Sequence, residues 1–145
     1  MALMTWDSSL DTGIPTIDKQ HKQIVSFIND LHEAASKEDK QMVEDVLEGL
    51  INYTTSHFAF EEDLCEQYNY PNLEAHKKEH RDFVTRINKH QARHKQGANV
   101  ARALSVELQL WLSKHIKEED GDYVSSIDIK TQSPSALSSM LKKYF

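Results

Sequence analysis

Apolar residues recur every three or four positions along four long segments of the chain, the spacing that places them on one face of an α-helix. The segments run roughly over residues 18–36, 40–65, 71–95 and 99–120. Only short stretches separate one segment from the next, so consecutive helices are expected to pack as antiparallel neighbours. The pattern therefore predicts an all-α fold, an antiparallel up-down-up-down four-helix bundle.

Two shorter parts flank the predicted bundle, and with it they form what we interpret as a single domain over residues 1–145. Residues 1–17 are expected to form an irregular N-terminal arm, residues 18–120 the bundle, and residues 121–145 a tail. The tail carries apolar residues at helical spacing, so we expect a short helix that docks on the bundle. Its apolar face would consist of Ala136, Leu137, Met140, Leu141 and Tyr144.

Glycine and proline are rare, with four and three in 145 residues, which favours long uninterrupted helices. Pro71 is placed to open the third helix, and Gly97 is placed to end it. Gly49 lies inside the second helix, where glycine costs about 1 kcal/mol relative to alanine. A close approach of a neighbouring helix at Gly49 would explain this choice.

The chain is acidic, with a net charge of −6 and a pI near 5.7. This argues against nucleic acid as the main partner, because phosphate binding needs clustered lysine and arginine. The single cysteine, Cys65, cannot form an internal disulfide, and we expect a buried, inert thiol in a reducing compartment. The first residues lack the features of a signal peptide, and no stretch approaches the ~20 apolar residues of a membrane span. We therefore expect a cytoplasmic protein.

Six polar residues fall on the inward faces of the predicted helices, although a bundle core normally excludes unpaired polar groups. They are His21, His57, Glu61, His76, His80 and His115. His57 and Glu61 are four residues apart, as are His76 and His80, so each pair lies one turn apart on the same side of its helix. Metal ligation is the most economical explanation for such a set.

A further carboxylate follows His115 on the fourth helix. Regular α-helical geometry would select Glu119, four residues on, which lies on the same side as His115. Asp120 is five residues on and would face the site only if the helix contained a wider, π-type turn there. Spacing alone leaves both residues open.

The resulting set contains five imidazoles and two carboxylates, which is too many ligands for one tetrahedral zinc ion. It suits two octahedral or near-octahedral ions, and nitrogen and oxygen ligands without thiolate favour iron or manganese. The remaining histidines, His32, His90 and His94, lie ~15 Å or more along their helices at 1.5 Å per residue and cannot reach this site.

These residues resemble the pattern of the hemerythrin family, in particular its single-domain bacterial branch. The matching motifs, in chain order, are Gly13-Ile14-Pro15 with Ile17-Asp18-Lys19-Gln20-His21, His57-Phe58-x-x-Glu61-Glu62, Tyr70-Pro71 with His76-x3-His80, and Trp111-x3-His115-x4-Asp120. The resemblance covers roughly residues 6–123. It implies a four-helix bundle that binds dioxygen reversibly at a non-haem di-iron centre.

The resemblance also implies a role for each ligand: two iron ions bridged by two carboxylates and an oxo or hydroxo group. By position, one iron would be held by His76, His80 and His115, the other by His21 and His57, and the bridging carboxylates would be Glu61 and Asp120. The second iron would keep one open position for dioxygen. The resemblance thus favours Asp120 over Glu119.

An apolar pocket around the bound dioxygen is implied in the same way. Its members would be Ile24, Phe58, Trp111, Leu112 and Ile116. A dry pocket withholds protons and water, which favours release of dioxygen over irreversible oxidation. Ordinary core packing would place the same residues inside, and they can serve both purposes. We therefore expect a protein that stores dioxygen or delivers it to an oxygen-using enzyme, and that is not itself an enzyme.

Three other functions fit the sequence less well. A ferritin-like di-iron oxidase would need Glu-x-x-His pairs, and no glutamate precedes a histidine by three residues here. An oxygen- or redox-sensing di-iron domain would be expected to carry an attached output domain. A helical interaction module without metal would leave the inward polar residues unpaired, which is strongly destabilising.

Overall fold

Four long helices dominate the computed structural model, which describes residues 2–118 and 142–145 together with the backbone of residues 119 and 120. They are α1 (Pro15–Lys37), α2 (Lys40–Gln67), α3 (Leu73–Lys95) and α4 (Ala101–Lys114). A 3₁₀ helix at Ser8–Leu10 precedes α1, and a π-helix at His115–Asp120 continues α4. Helix α1 packs against α2 and α4, and α2 packs against α3. The predicted all-α four-helix bundle is confirmed.

Three predicted helix starts were wrong by two or three residues, one of them that of α4, which begins at Ala101 rather than at residue 99. Helix α1 begins at Pro15 rather than at residue 18, because a proline at the first helical position loses no hydrogen bond and already has a helical φ. Helix α3 begins at Leu73, not at Pro71, because Pro71 lies in the turn that follows α2. In that turn Asn69 has a φ of 55°, and the Tyr70 N–H donates to the Cys65 carbonyl at 2.9 Å.

Helix ends elsewhere follow the sequence. The Asp39 side chain accepts a hydrogen bond from the Met42 N–H at 3.0 Å and caps the start of α2. Gly97 follows α3 with a φ of 94°, a left-handed conformation that glycine adopts without steric cost. Gly97 therefore ends α3 as predicted.

The core consists of two clusters of buried apolar side chains. The larger cluster fills the middle of the bundle, and Ile24, Ile28, Leu47, Phe83 and Leu104 are among its members. The smaller one lies where α1 begins and α2 ends. Its members are Ile14, Ile17, Phe60, Leu64, Cys65 and Tyr70. Cys65 is fully buried, as expected for a thiol that serves as a small apolar side chain.

Gly49 marks a close approach between α1 and α2, as the sequence suggested. A Cβ atom at this position would lie 2.9 Å from Cε1 of the Phe27 ring. Phe27 also packs against Tyr53, with ring centroids 5.8 Å apart. The missing side chain thus makes room for an aromatic ring on the neighbouring helix.

We expect the effect of Gly49→Ala on stability to depend on Phe27. In a Phe27→Ala background, Gly49→Ala should raise the free energy of unfolding by about 1 kcal/mol through helix propensity. In the wild-type background the gain should be absent, because the ring must move. Urea unfolding of the four proteins in this double-mutant cycle measures the coupling. Purely additive effects would contradict a close approach at this position.

Three of the last four residues lie against α2. The Tyr144 hydroxyl donates a hydrogen bond to Asp63 Oδ2 at 2.8 Å, and Lys143 Nζ lies 3.5 Å from the same oxygen. The Phe145 ring packs on Tyr53 with centroids 5.4 Å apart. Docking of the tail is thus seen at its end, and Tyr144 is the one member of the predicted apolar face in the described residues. The other four, Ala136, Leu137, Met140 and Leu141, lie outside them.

Burial alone would raise the pKa of the Asp63 carboxyl, but hydrogen bonds from Tyr144 and Gln67 and the charge of Lys143 outweigh it and lower that pKa. The Asp63 carboxylate, which contacts Lys143 and Tyr144, is therefore ionised at neutral pH.

Within the described helices, none combines the length and the apolar character needed to cross a membrane.

Candidate metal centre

Six of the seven predicted ligands come together in the interior of the bundle. Helix α1 supplies His21, α2 supplies His57 and Glu61, α3 supplies His76 and His80, and His115 stands where α4 passes into the π-helix. Each of the six is at most 3% exposed. Because every helix contributes at one level, the cluster spans the whole cross-section of the bundle.

Their potential ligand atoms form two groups. In the first, Glu61, His76, His80 and His115 each offer an atom within 4.8 Å of the others. In the second, His21, His57 and Glu61 do the same. Glu61 belongs to both groups, so its carboxylate lies where it can bridge two ions. A set of imidazole nitrogens and carboxylate oxygens is typical of iron or manganese sites.

Glu61 is the electrostatic centre of the cluster. Its Oε1 lies 3.6 Å from His21 Nε2 and is also in contact with His57 Nε2, while its Oε2 lies 3.4 Å from His76 Nε2. Burial alone would raise the pKa of this carboxyl. The charge of His57 and hydrogen bonds from His21, His57 and His76 outweigh burial and hold the pKa of Glu61 well below its ordinary value. A fixed negative charge thus lies among five imidazoles.

His80 shows most directly that the site fits a metal ion. Its ring stacks on Phe58 with centroids 3.9 Å apart, and its Nε2 is buried without a hydrogen-bond partner among the described residues. Burial lowers the pKa of His80 to about 4, although Glu62 at 3.6 Å from Nδ1 acts in the opposite direction. The imidazole is therefore neutral at neutral pH, the state in which nitrogen can bind a metal.

The helix around His115 has the wider turn that Asp120 requires. Residues His115–Asp120 form a π-helix, in which hydrogen bonds connect residues five apart and a residue at that spacing returns to the same side. The side chains of Glu119 and Asp120 lie outside the described residues. Asp120 as the second bridging carboxylate thus stays a prediction, although the backbone geometry it needs is present.

The five residues of the predicted dioxygen pocket pack beside the ligands. Ile24, Phe58, Leu112 and Ile116 are buried in the larger core cluster, and Trp111 is half-buried against it. The Trp111 ring stacks on His115 with centroids 4.4 Å apart, and Phe58 stacks on His80. Apolar surface thus directly contacts imidazoles of the site.

A surface cavity of about 300 Å³ reaches His115 from outside. It is lined by Glu79, Asp82, Arg86, Trp111, Lys114, His115 and Glu118. Most of this lining is charged, whereas Trp111 presents an apolar ring to it. Trp111 and His115 both border the cavity, and the indole covers one face of the imidazole.

Gln20 contacts the site, a role that reasoning from the sequence did not assign to it. Gln20 is 4% exposed, and its Oε1 lies 2.8 Å from His57 Nδ1. Its place directly before His21 gave no sign of this, because residues adjacent in a helix point in different directions. The sequence offers one signal, since Gln20 belongs to the motif Ile17-Asp18-Lys19-Gln20-His21 that carries the resemblance, but that motif does not indicate its partner.

Comparison with known proteins finds the same family in sequence and in structure. The family model for the hemerythrin HHE cation binding domain matches residues 12–127. A bacteriohemerythrin from Pseudomonas aeruginosa (strain LESB58) is 39% identical, over 100% of this chain and 99% of the relative. A bacteriohemerythrin from Methylococcus capsulatus (strain ATCC 33009 / NCIMB 11132 / Bath) is 33% identical, over 85% of this chain and 95% of the relative. The crystal structure of wild-type hemerythrin is similar with a TM-score of 0.80 at 32% identity, covering 86% of this chain and 97% of that one.

Proposed function

Because this chain belongs to the hemerythrin family, we propose that its buried cluster holds two iron ions and that dioxygen binds there reversibly. Dioxygen binding at a di-iron centre is the function of this family, whose members are oxygen carriers rather than typical enzymes. We assign His76, His80 and His115 to one ion and His21 and His57 to the other. Glu61 and Asp120 would bridge the two, together with an oxo or hydroxo group.

The division of the ligand atoms into two groups that share Glu61 carries this proposal. A single ion would need one group of donors, and a structural zinc site would need only four. The two groups are also unequal, since one has three imidazoles and the other has two. An ion held by the smaller group has fewer protein ligands and hence room for an exogenous one.

Two ferrous ions in these positions would supply the two electrons that dioxygen takes up on binding. The protein supplies the surroundings that make the uptake reversible. Buried apolar side chains keep water and protons from the site, which disfavours irreversible oxidation. Among the described pocket residues, Phe58 and Trp111 do this at closest range, because they stack on His80 and His115.

We further propose that the protein stores dioxygen or delivers it to an oxygen-using enzyme. The first experiment is a visible absorption spectrum of the iron-loaded protein, reduced without oxygen, exposed to air and then degassed. A charge-transfer band that appears with dioxygen and disappears on degassing is the expected result. A protein that oxidises irreversibly in the first exposure would contradict reversible binding and favour redox sensing or oxidase chemistry.

We expect Trp111→Ala to retain iron and to autoxidise at least about tenfold faster than wild type, the effect of ~1.4 kcal/mol on a barrier. Removal of the indole would uncover the face of His115 on which it stacks and extend the charged surface cavity there, which admits water. The rate of decay of the oxygenated absorption band measures this.

Two control variants separate the pocket wall from helix α4 as a whole. Leu110→Ala removes a neighbouring side chain that is 66% exposed, so its autoxidation rate should match wild type. Trp111→Phe keeps a ring against His115 and should lie closer to wild type than Trp111→Ala. Equal rates in wild type and Trp111→Ala would contradict the assigned role.

A further inference from the structure

A hydrogen bond between helices α1 and α2 supports one side of the metal centre. Gln20 on α1 and His57 on α2 are 37 positions apart in sequence, and Gln20 Oε1 lies 2.8 Å from His57 Nδ1. His57 is 1% exposed, so water does not compete for this contact. Such a bond holds the imidazole in one orientation. Because Nδ1 faces Gln20, the other ring nitrogen, Nε2, must point away from it.

The chemistry of the two partners fixes where the proton lies. A glutamine amide oxygen can only accept a hydrogen bond, so His57 Nδ1 must donate and carry the proton. In the metal-free site His57 also donates from Nε2, the atom that faces Glu61. An ion bound there would take the place of the Nε2 proton alone. The hydrogen bond to Gln20 therefore keeps the other proton on Nδ1 and leaves Nε2 as the atom that can bind the ion.

We propose that Gln20 is a positioning residue for the metal centre, and this inference rests on the proposed function. Its amide oxygen holds His57 so that Nε2 can bind the ion shared with His21 and Glu61. Hydrogen bonds of this kind to metal-bound histidines orient the ring and raise its basicity, and their loss typically lowers metal affinity by about 10- to 100-fold.

The effect falls on one ion of the pair. Gln20 contacts His57, which belongs to the group with His21 and Glu61, whereas His76, His80 and His115 belong to the other. The smaller group contains only two imidazoles, so one misplaced ring removes half of its nitrogen ligands. Gln20 also lines a surface cavity of about 390 Å³ between α1, Tyr53 and Phe145. The Gln20 side chain thus lies between that cavity and His57.

The test compares three variants of the full-length protein. Gln20→Leu has a similar volume and no acceptor, whereas Gln20→Glu keeps an acceptor oxygen. Gln23→Leu is the matched control, because Gln23 lies one turn along the same helix and is exposed. Ferrous iron bound per chain and the affinity of each ion are measured by competition with a chelator under anaerobic conditions.

We expect wild type, Gln20→Glu and Gln23→Leu to bind two ions per chain. Gln20→Leu should bind one ion normally and the second about 10- to 100-fold more weakly. A variant that was merely misfolded would lose both ions, so the unequal loss separates positioning from a general structural role. Two ions bound with wild-type affinity in Gln20→Leu would overturn the proposal.

A second measurement needs no iron. The ¹⁵N chemical shifts of the His57 ring in the iron-free protein at pH 8 report which nitrogen carries the proton. We expect protonated Nδ1 in wild type and Gln23→Leu, and loss of the Nδ1 proton in Gln20→Leu, where Glu61 still accepts from Nε2. An unprotonated Nδ1 in wild type would refute the role of Gln20, even if the protein binds dioxygen. A wild-type protein with the expected tautomer but no iron uptake would instead contradict the proposed function.

Discussion

Iron loading is expected to raise the melting temperature of this protein by about 10 °C over that of the chelated protein. Ligand present at 100 to 1,000 times its dissociation constant stabilises the folded state by about 3–4 kcal/mol. In a domain of this size, 1 kcal/mol corresponds to roughly 2–4 °C. Removal of the ions also leaves His80 Nε2 buried without a hydrogen-bond partner among the described residues. Thermal unfolding followed by circular dichroism, with iron and with chelator, measures the difference.

Magnesium provides the control for this experiment. Mg²⁺ prefers oxygen ligands and retains several waters, so a site made mainly of imidazoles should bind it poorly. Its addition to the chelated protein should leave the melting temperature unchanged. Identical melting temperatures with and without iron would mean that the cluster does not bind iron in the folded protein.

Glu61→Gln is expected to have the largest effect of any single substitution, because it weakens both ions together. The carboxylate belongs to both groups of ligand atoms and provides the fixed negative charge among the imidazoles. An amide of the same shape removes that charge. The affinity for each ion should fall by more than about 100-fold. Loss of a hydrogen-bond partner of a metal ligand lowers metal affinity by up to about 100-fold, and Glu61 is predicted to be a ligand itself.

The matched control is Glu66→Gln, an identical change on the same helix at an exposed position. It should bind two ions with unchanged affinity. If Glu61→Gln lost only one ion and retained the other at full strength, Glu61 would be a ligand of a single ion. The bridging assignment would then be wrong, while the metal centre as such would stand.

The fold followed from the sequence because the apolar period is strong and the helices are long. All six described ligands, five histidines and Glu61, were visible as polar residues on apolar faces. The starts of α1 and α3 were misplaced, because a proline fits both the first turn of a helix and the turn before it. Local preference could not distinguish the roles of Pro15 and Pro71.

Contacts between helices were harder to predict. Helical periodicity shows which residues face inward, but not which atoms from two helices meet. The contact between Gln20 and His57 spans α1 and α2, and nothing in either local segment indicates it. The same holds for the place of Glu61 in both groups, which depends on the relative positions of three helices and α4's end. Helical spacing in the sequence thus predicts the ligands, whereas their hydrogen-bond partners depend on how the helices pack.

The π-helix after Lys114 bears on how the chain tolerates changes in length. A π-turn closes over five residues where an α-turn closes over four, so it accommodates one additional residue within a single turn. Loss of one residue between His115 and Asp120 would return the backbone to α-helical winding and bring Asp120 to four residues after His115, a spacing that keeps it on the same side of the helix. An insertion or deletion elsewhere in α4 would instead rotate every following side chain by ~100°. Within the described part of α4 and the π-helix, this turn can therefore lose a residue in evolution without turning the predicted second bridging carboxylate away from His115.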